Sequence, residues 1–217
     1  MARGLFITFE GPDGTGKTTQ IERLHAWLTA NGHASITTRE PGGTPSGEAV
    51  RRILLDSGAS NLSPRAELAL MFAARAQHIA ELILPALSAG KIVLCDRFTD
   101  SSEAYQGYGR GLGPEIVLAL HHYLCENLQP NLTLLLMSPD NATAHPLARA
   151  QERNKHASGS DESRFESEGE VFQLRVARGY AAIAARDPAR VIRIDASGSI
   201  EQMHSDVLTA IKPLLFT

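Results

Sequence analysis

Apolar residues in this chain fall into two patterns that alternate from end to end. Short unbroken runs, such as Leu5-Phe6-Ile7-Thr8-Phe9, Ile92-Val93-Leu94-Cys95 and Leu132-Thr133-Leu134-Leu135-Leu136, read as strands covered on both faces. With two further runs they predict strands over 5–9, 34–38, 91–95, 132–136 and 190–194. Elsewhere apolar positions recur at helical spacing, as at Ile21, Leu24, Trp27 and Leu28. The helices predicted in this way cover 17–30, 46–57, 64–88, 114–127, 146–154, 169–186 and 200–215. Strands separated by helices imply right-handed crossovers, and hence an α/β fold with a five-stranded parallel sheet flanked by helices on both faces. Residues 154–163 are small, polar and charged, with almost nothing apolar, and predict a surface loop.

The turn between the first strand and the first helix reads Gly11-Pro12-Asp13-Gly14-Thr15-Gly16-Lys17-Thr18, followed by Thr19. It fits the Gly-x-x-x-x-Gly-Lys-Thr phosphate loop, in the strand–turn–helix setting such a loop requires. Backbone N–H groups and the positive end of the helix dipole then face a polyphosphate, and the glycines let the backbone close around it. Residues Gly11 to Thr19 are the candidate ATP-binding segment. Lys17 reaches the β and γ phosphates, and the Thr18 hydroxyl suits Mg²⁺. The fold is thus of the P-loop NTPase type.

In parallel sheets of this kind ligands bind beyond the carboxyl ends of the strands. The second strand is followed by Arg39-Glu40-Pro41-Gly42-Gly43, and the third by Asp96-Arg97-Phe98. Asp96 can serve the same Mg²⁺ as Thr18. Arg39 and Arg97, at neighbouring strand ends beside the phosphate loop, read as anion ligands. After the fourth strand, Arg149 and Arg153 lie four residues apart on one predicted helix face, with Lys155 and Arg164 flanking the polar loop. A cationic helix joined to a polar loop is how a closing lid is written, and 142–168 is the candidate lid segment. A solvated charged helix has the same pattern.

Composition sets bounds. The 217 residues suit one domain, 1–217, and 43% hydrophobic with 21% charged residues is ordinary for a globular chain. A net charge of −3 provides no basic excess for coating nucleic acid. Cys95 and Cys125 lack metal-ligand spacing and read as core thiols in a reducing compartment. No run reads as a leader or as apolar enough to span a bilayer, so the expectation is a cytoplasmic protein without a membrane partner. The eight histidines share no spacing with a Ser or Cys nucleophile. The cations suit phosphoryl transfer to an existing phosphate, which needs no strong base. Transfer to a hydroxyl calls for a carboxylate base, and Glu10 is the obvious candidate.

The phosphate loop with Asp13, Thr38 to Thr44, Phe72-Ala73-Ala74-Arg75-Ala76-Gln77-His78, Asp96 to Gly111, Arg164-Phe165-Glu166 and the helix through Phe172, Arg175 and Tyr180 together resemble bacterial thymidylate kinase, in order and spacing, over almost the whole chain. The resemblance implies a P-loop nucleoside monophosphate kinase that moves the ATP γ phosphoryl to dTMP, giving dTDP for dTTP biosynthesis, with Mg²⁺. It also implies roles. Asp13 accepts from the deoxyribose 3′-hydroxyl; Arg39 and Arg97 hold the dTMP phosphate; Arg75 meets the thymine edge; Ser101, Tyr105 and Gln106 line base and sugar. Family members with glycine at the position of Gly14 take the transition-state cation from the lid, which makes Arg149 and Arg153, with Lys17 and Arg97, the candidate catalytic residues. The family's homodimer is built on a helix like 64–88, which is apolar around much of its circumference.

The chain departs from the family pattern in three places. The family's thymine-stacking aromatic stands four residues before the arginine; here that position is Met71, and Phe72 follows it, so either covers the base, with Phe72 favoured as the aromatic. Met137-Ser138-Pro139 replaces an acidic residue after the fourth strand. The lid is lengthened by 154–163, and Ser163 stands where an aspartate is usual. Other readings are a regulatory GTPase, whose Asn-Lys-x-Asp signature Asn154-Lys155-His156-Ala157 lacks, and another deoxynucleotide or deoxynucleoside kinase.

Overall fold

The computed structural model describes residues 4–55, 62–138, 164–165 and 168–215. Five parallel strands, β1 (Phe6–Glu10), β2 (Ser35–Arg39), β3 (Ile92–Asp96), β4 (Leu132–Met137) and β5 (Val191–Asp195), form one sheet in the order β2-β3-β1-β4-β5. Four of the five begin one residue later than their apolar runs predict, and all end one residue later. Apolarity stops where solvent and ligand begin, but backbone pairing continues, so Glu10, Arg39, Asp96 and Asp195 become the last residues of their strands.

Alternation along each strand divides the core. Ile7, Phe9, Leu94, Leu134 and Leu136 face helices α1 (Lys17–Ala30) and the C-terminal helix Ile200–Leu215. Phe6, Val93 and Cys95 face the long helix α3 (Pro64–Ser88), whereas Leu135 and Met137 face the helix Glu170–Arg186. Helices therefore cover both faces, as expected of buried parallel strands. Both cysteines are free and buried.

Helix α2 spans Pro45–Leu55. Helix α3 starts at Pro64, capped by the Ser63 hydroxyl on the Ala66 N–H, and passes through a π-helical stretch at Ile79–Ile83. By length and composition alone α3 is long and apolar enough to cross a membrane. Its inward face nevertheless carries Glu67, Arg75 and His78, all buried and all bonded to other parts of the protein, which makes it a core helix. Helix α4 was not expected: Thr99–Ser102 continues into a π-helical stretch, Glu103–Gly109. It has no apolar stripe to reveal it, because its buried side chains are mostly polar. Helix α5, expected over 114–127, is Pro114–Leu124 and stops where Glu126 and Asn127 turn to positive φ. Glu170–Arg186 is α6 and Ile200–Leu215 is α7. The helix expected over 146–154, and nearly all of the lid segment 142–168, lie outside the described residues.

Candidate active site

The loop between β1 and α1 takes its shape from glycines. Gly11 has φ 129°, and a Cβ there would lie 2.1 Å from the Leu136 carbonyl oxygen on the neighbouring strand. The Thr15 hydroxyl closes the turn by donating to the Pro12 carbonyl at 2.9 Å. The Lys17 ammonium donates to the carbonyls of Gly11 (3.1 Å) and Pro12 (2.9 Å). Burial first, then the charge of Arg97, brings its pKa down to about 8. An anion beside it reverses that shift.

Thr18 sits one residue further along α1, and its hydroxyl donates to Asp96 Oδ2 at 3.3 Å. Asp96 Oδ1 is buried with no hydrogen-bond partner. A carboxylate oxygen in that condition, next to a hydroxyl, fits a hard divalent cation whose other ligands are phosphate oxygens and water. No group of three or more acidic, His or Cys side chains able to hold a metal occurs among the described residues. The donor set therefore suits a cation that arrives with a polyphosphate.

Arg97 follows the end of β3 with φ 68°, an unusual backbone for a side chain, and this directs its guanidinium towards the phosphate loop. It donates to Asp13 Oδ1 (2.7 Å), Ser101 Oγ (2.9 Å), the Tyr180 hydroxyl (3.0 Å) and the Tyr105 hydroxyl (3.4 Å). Burial alone would raise the Asp13 pKa, but Arg97 and then Lys17 outweigh it and hold the carboxyl well below its ordinary value. Arg39, at the end of β2, is half exposed and forked onto Glu48 at 3.0 and 3.1 Å.

Asp13, Gly14, Gly16, Lys17, Thr18, Thr19, Arg39, Asp96 and Arg97 line one cleft of about 730 Å³, as expected of residues at strand ends. Arg51 on α2 lines it too and donates to the Pro41 carbonyl at 3.0 Å. Sequence reasoning missed Arg51, since nothing in the helical pattern separates it from its neighbour Arg52.

Other expected residues lie behind this cleft. Arg75 is buried between α3 and α4, donating to Glu40 Oε2 (2.7 Å), Ser102 Oγ (2.9 Å) and the Phe98 carbonyl (3.2 Å); its Nη1 has no partner. Glu40 in turn meets His78 Nδ1 at 2.9 Å, and His78 Nε2 meets the Thr38 hydroxyl at 2.7 Å. Gln106 is fully enclosed, with its Nε2 on Glu67 Oε1 at 2.9 Å and its own Oε1 unpartnered. Tyr105 donates to Asp13 Oδ2 at 3.3 Å. Ser101 and Tyr180 both bond to Glu10.

The two residues considered for covering the base point in different directions. Phe72 is fully buried in the apolar cluster of Phe6, Val93 and Phe98, and its ring packs under the Arg75 guanidinium at 4.8 Å. Adjacent helical residues point about 100° apart, and Met71 takes the other direction, joining Tyr105, Phe165 and Phe172. Arg149, Arg153 and Lys155 lie outside the described residues.

A sequence model of the family described as thymidylate kinase matches residues 9–207. Curated thymidylate kinases from Geotalea uraniireducens and Desulfovibrio desulfuricans are 47% and 48% identical to this chain, over 96% and 97% of its length and 96% of theirs. The crystal structure of thymidylate kinase from Ehrlichia chaffeensis superposes with a TM-score of 0.76 at 32% identity, covering 97% of this chain and 99% of that one. Phosphate loop, arginine-bearing strand ends and whole-chain likeness agree, and the chain belongs to the thymidylate kinase family.

Proposed function

We infer that this protein transfers the γ phosphoryl group of ATP to dTMP, giving dTDP and ADP. The observation that carries the reading is one cleft in which the phosphate loop faces Arg97 and Arg39. Glu10, the candidate base of the alternative, is fully buried and occupied by the Phe98 N–H, Ser101 and Tyr180. An oxygen of the dTMP phosphate attacks the γ phosphorus; the bond to the β–γ bridging oxygen breaks, and ADP leaves with that electron pair. The acceptor phosphate is largely dianionic at neutral pH, so no proton has to be removed.

Lys17 and the loop N–H groups hold the donor phosphates, and Arg97 with Arg39 holds the acceptor phosphate in line with them. Thr18 and Asp96 are the residues that would hold Mg²⁺, which would supply positive charge to offset that of the donor phosphates. Asp13 accepts from the 3′-hydroxyl, an acceptor role that its suppressed pKa supports. Met71 takes over from Phe72 as the residue covering the base, with Arg75, Ser101, Tyr105 and Gln106 around base and sugar. Since position 14 is glycine, the lid 142–168 supplies the transition-state cation through Arg149 and Arg153. The unpaired buried thiols suit the reducing cytoplasm. The exposed side of α3, with Ala69, Ala73, Ala80 and Leu84, is the surface on which two copies pair.

ADP release with dTMP, dUMP, dCMP, GMP, AMP and thymidine as acceptors tests the reading. dTMP is expected to be the best acceptor, and dUMP weaker by the about 1–3 kcal/mol that one methyl contact contributes. Turnover of thymidine without turnover of dTMP overturns the reading.

A further inference from the structure

Two rungs tie α3 to α4: Arg75 to Ser102 and Glu67 to Gln106, each at 2.9 Å. Glu67, Met71 and Arg75 are spaced four residues apart, so they share one face of α3 and the rungs bracket Met71. At 1.5 Å rise per residue the rungs start about 12 Å apart along α3, but on α4 they are only four residues apart, at Ser102 and Gln106, so they converge. Each rung contains a buried polar atom with no partner. On one it is Arg75 Nη1, a donor; on the other it is Gln106 Oε1, an acceptor. Buried polar atoms are normally paired, and two unpaired ones of opposite kind flanking an apolar side chain point to a ligand that completes both.

The kind of ligand depends on which way round the Gln106 amide stands. Glu67 decides that. A carboxylate can only accept, and this one already receives Arg110 at 3.0 and 3.2 Å and Arg164 at 2.7 Å. Gln106 must therefore turn its NH₂ group to Glu67 and its oxygen away. An exocyclic oxygen next to a ring N–H, as in thymine and uracil, completes Arg75 Nη1 and Gln106 Oε1. Cytosine carries an amino group and a bare ring nitrogen at the same places, and so meets donor with donor and acceptor with acceptor.

We propose that Glu67, which touches no substrate atom, is the positioning residue that sets pyrimidine specificity, by holding the Gln106 amide with its oxygen presented to the base. The proposal rests on the reading of dTMP as acceptor.

The test is the ratio of kcat/KM for dTMP to that for dCMP, in the wild type and in Glu67→Gln. A neutral glutamine can donate as well as accept, so the Gln106 amide is free to turn over. The ratio is expected to fall by about tenfold or more, mainly through KM, while the KM for ATP is unchanged. A ratio within about threefold of wild type, whatever the loss of absolute rate, overturns the proposal by showing that Glu67 only holds the helices together. If Glu67→Gln does not fold, Glu67→Asp takes its place. It keeps the charge that the long Arg110 and Arg164 side chains can follow but withdraws from the shorter Gln106, and the same two outcomes decide. Wild-type protein that does not turn over dTMP at all refutes the functional reading instead, and the two failures are distinct.

Discussion

Glu10 closes β1 with both carboxylate oxygens engaged, one on the Phe98 N–H and the other on Ser101 and Tyr180. It thereby ties down the turn from which Arg97 reaches the cleft. Its setting is otherwise poor for a charge: burial, then the negative charge of Asp100, pushes its pKa up to about 7 from 4.5. Between those values the native state keeps a proton that the unfolded chain has released. Its contribution is thus full below about pH 4.5 and is lost as pH rises to about 7. Thermal melts of wild type and Glu10→Gln across this window are expected to show wild type losing Tm relative to the variant as pH rises. A constant difference would mean that Glu10 is charged throughout. In the sequence Glu10 is one carboxylate after an apolar run, and the run says nothing about whether the strand's last residue faces a cleft or is sealed beneath it.

At the scale of elements, α4 is where local pattern and structure part. Its polar side chains are buried because arginines from distant segments close over them. Arg190 grips Asp100 with two bonds of 2.7 and 3.1 Å and also reaches Thr133, while Arg186 grips Glu103. Removing one partner of such a pair leaves an uncompensated buried charge. Arg190→Met is therefore expected to lower unfolding free energy by about 3–5 kcal/mol in urea denaturation, and Arg190→Met with Asp100→Leu to recover much of the loss. Arg23→Ala, which removes the exposed pair with Glu201, serves as the control at about 1 kcal/mol or less. Equal effects from Arg190→Met and Arg23→Ala would show that the arginine brace does not hold α4. The strands were legible as unbroken apolar runs covered on both faces, and the other described helices because one face of each meets the core and leaves a period in the sequence. A helix buried by charge pairing leaves no such period.

For the molecule as a whole, the two covered faces of the sheet leave α3 with an outer side of Ala69, Ala73, Ala80 and the 39% exposed Leu84, interrupted by Gln77 and Glu81. Small apolar residues there allow close approach of a second copy. Sedimentation is expected to show a dimer for wild type and a monomer for Ala73→Arg, whose added side chain points away from the core and leaves the fold intact. A wild-type monomer, or an unaltered Ala73→Arg dimer, removes α3 as the pairing surface.

The phosphate loop, the number and direction of the strands, and the gathering of Lys17, Thr18, Arg39, Asp96 and Arg97 at the strand ends could be read from the chain alone. Each depends on neighbours in sequence: a glycine turn between strand and helix, an apolar run, a charge just beyond it. The directions in which Met71 and Phe72 point, the place of Arg51 in the cleft, and the way Gln106 turns its amide could not. Those depend on the rotation of α3 about its axis and on carboxylates tens of residues away, Glu40 and Glu67 among them. Such partners meet only when packing has brought α3, α4 and the strand ends together.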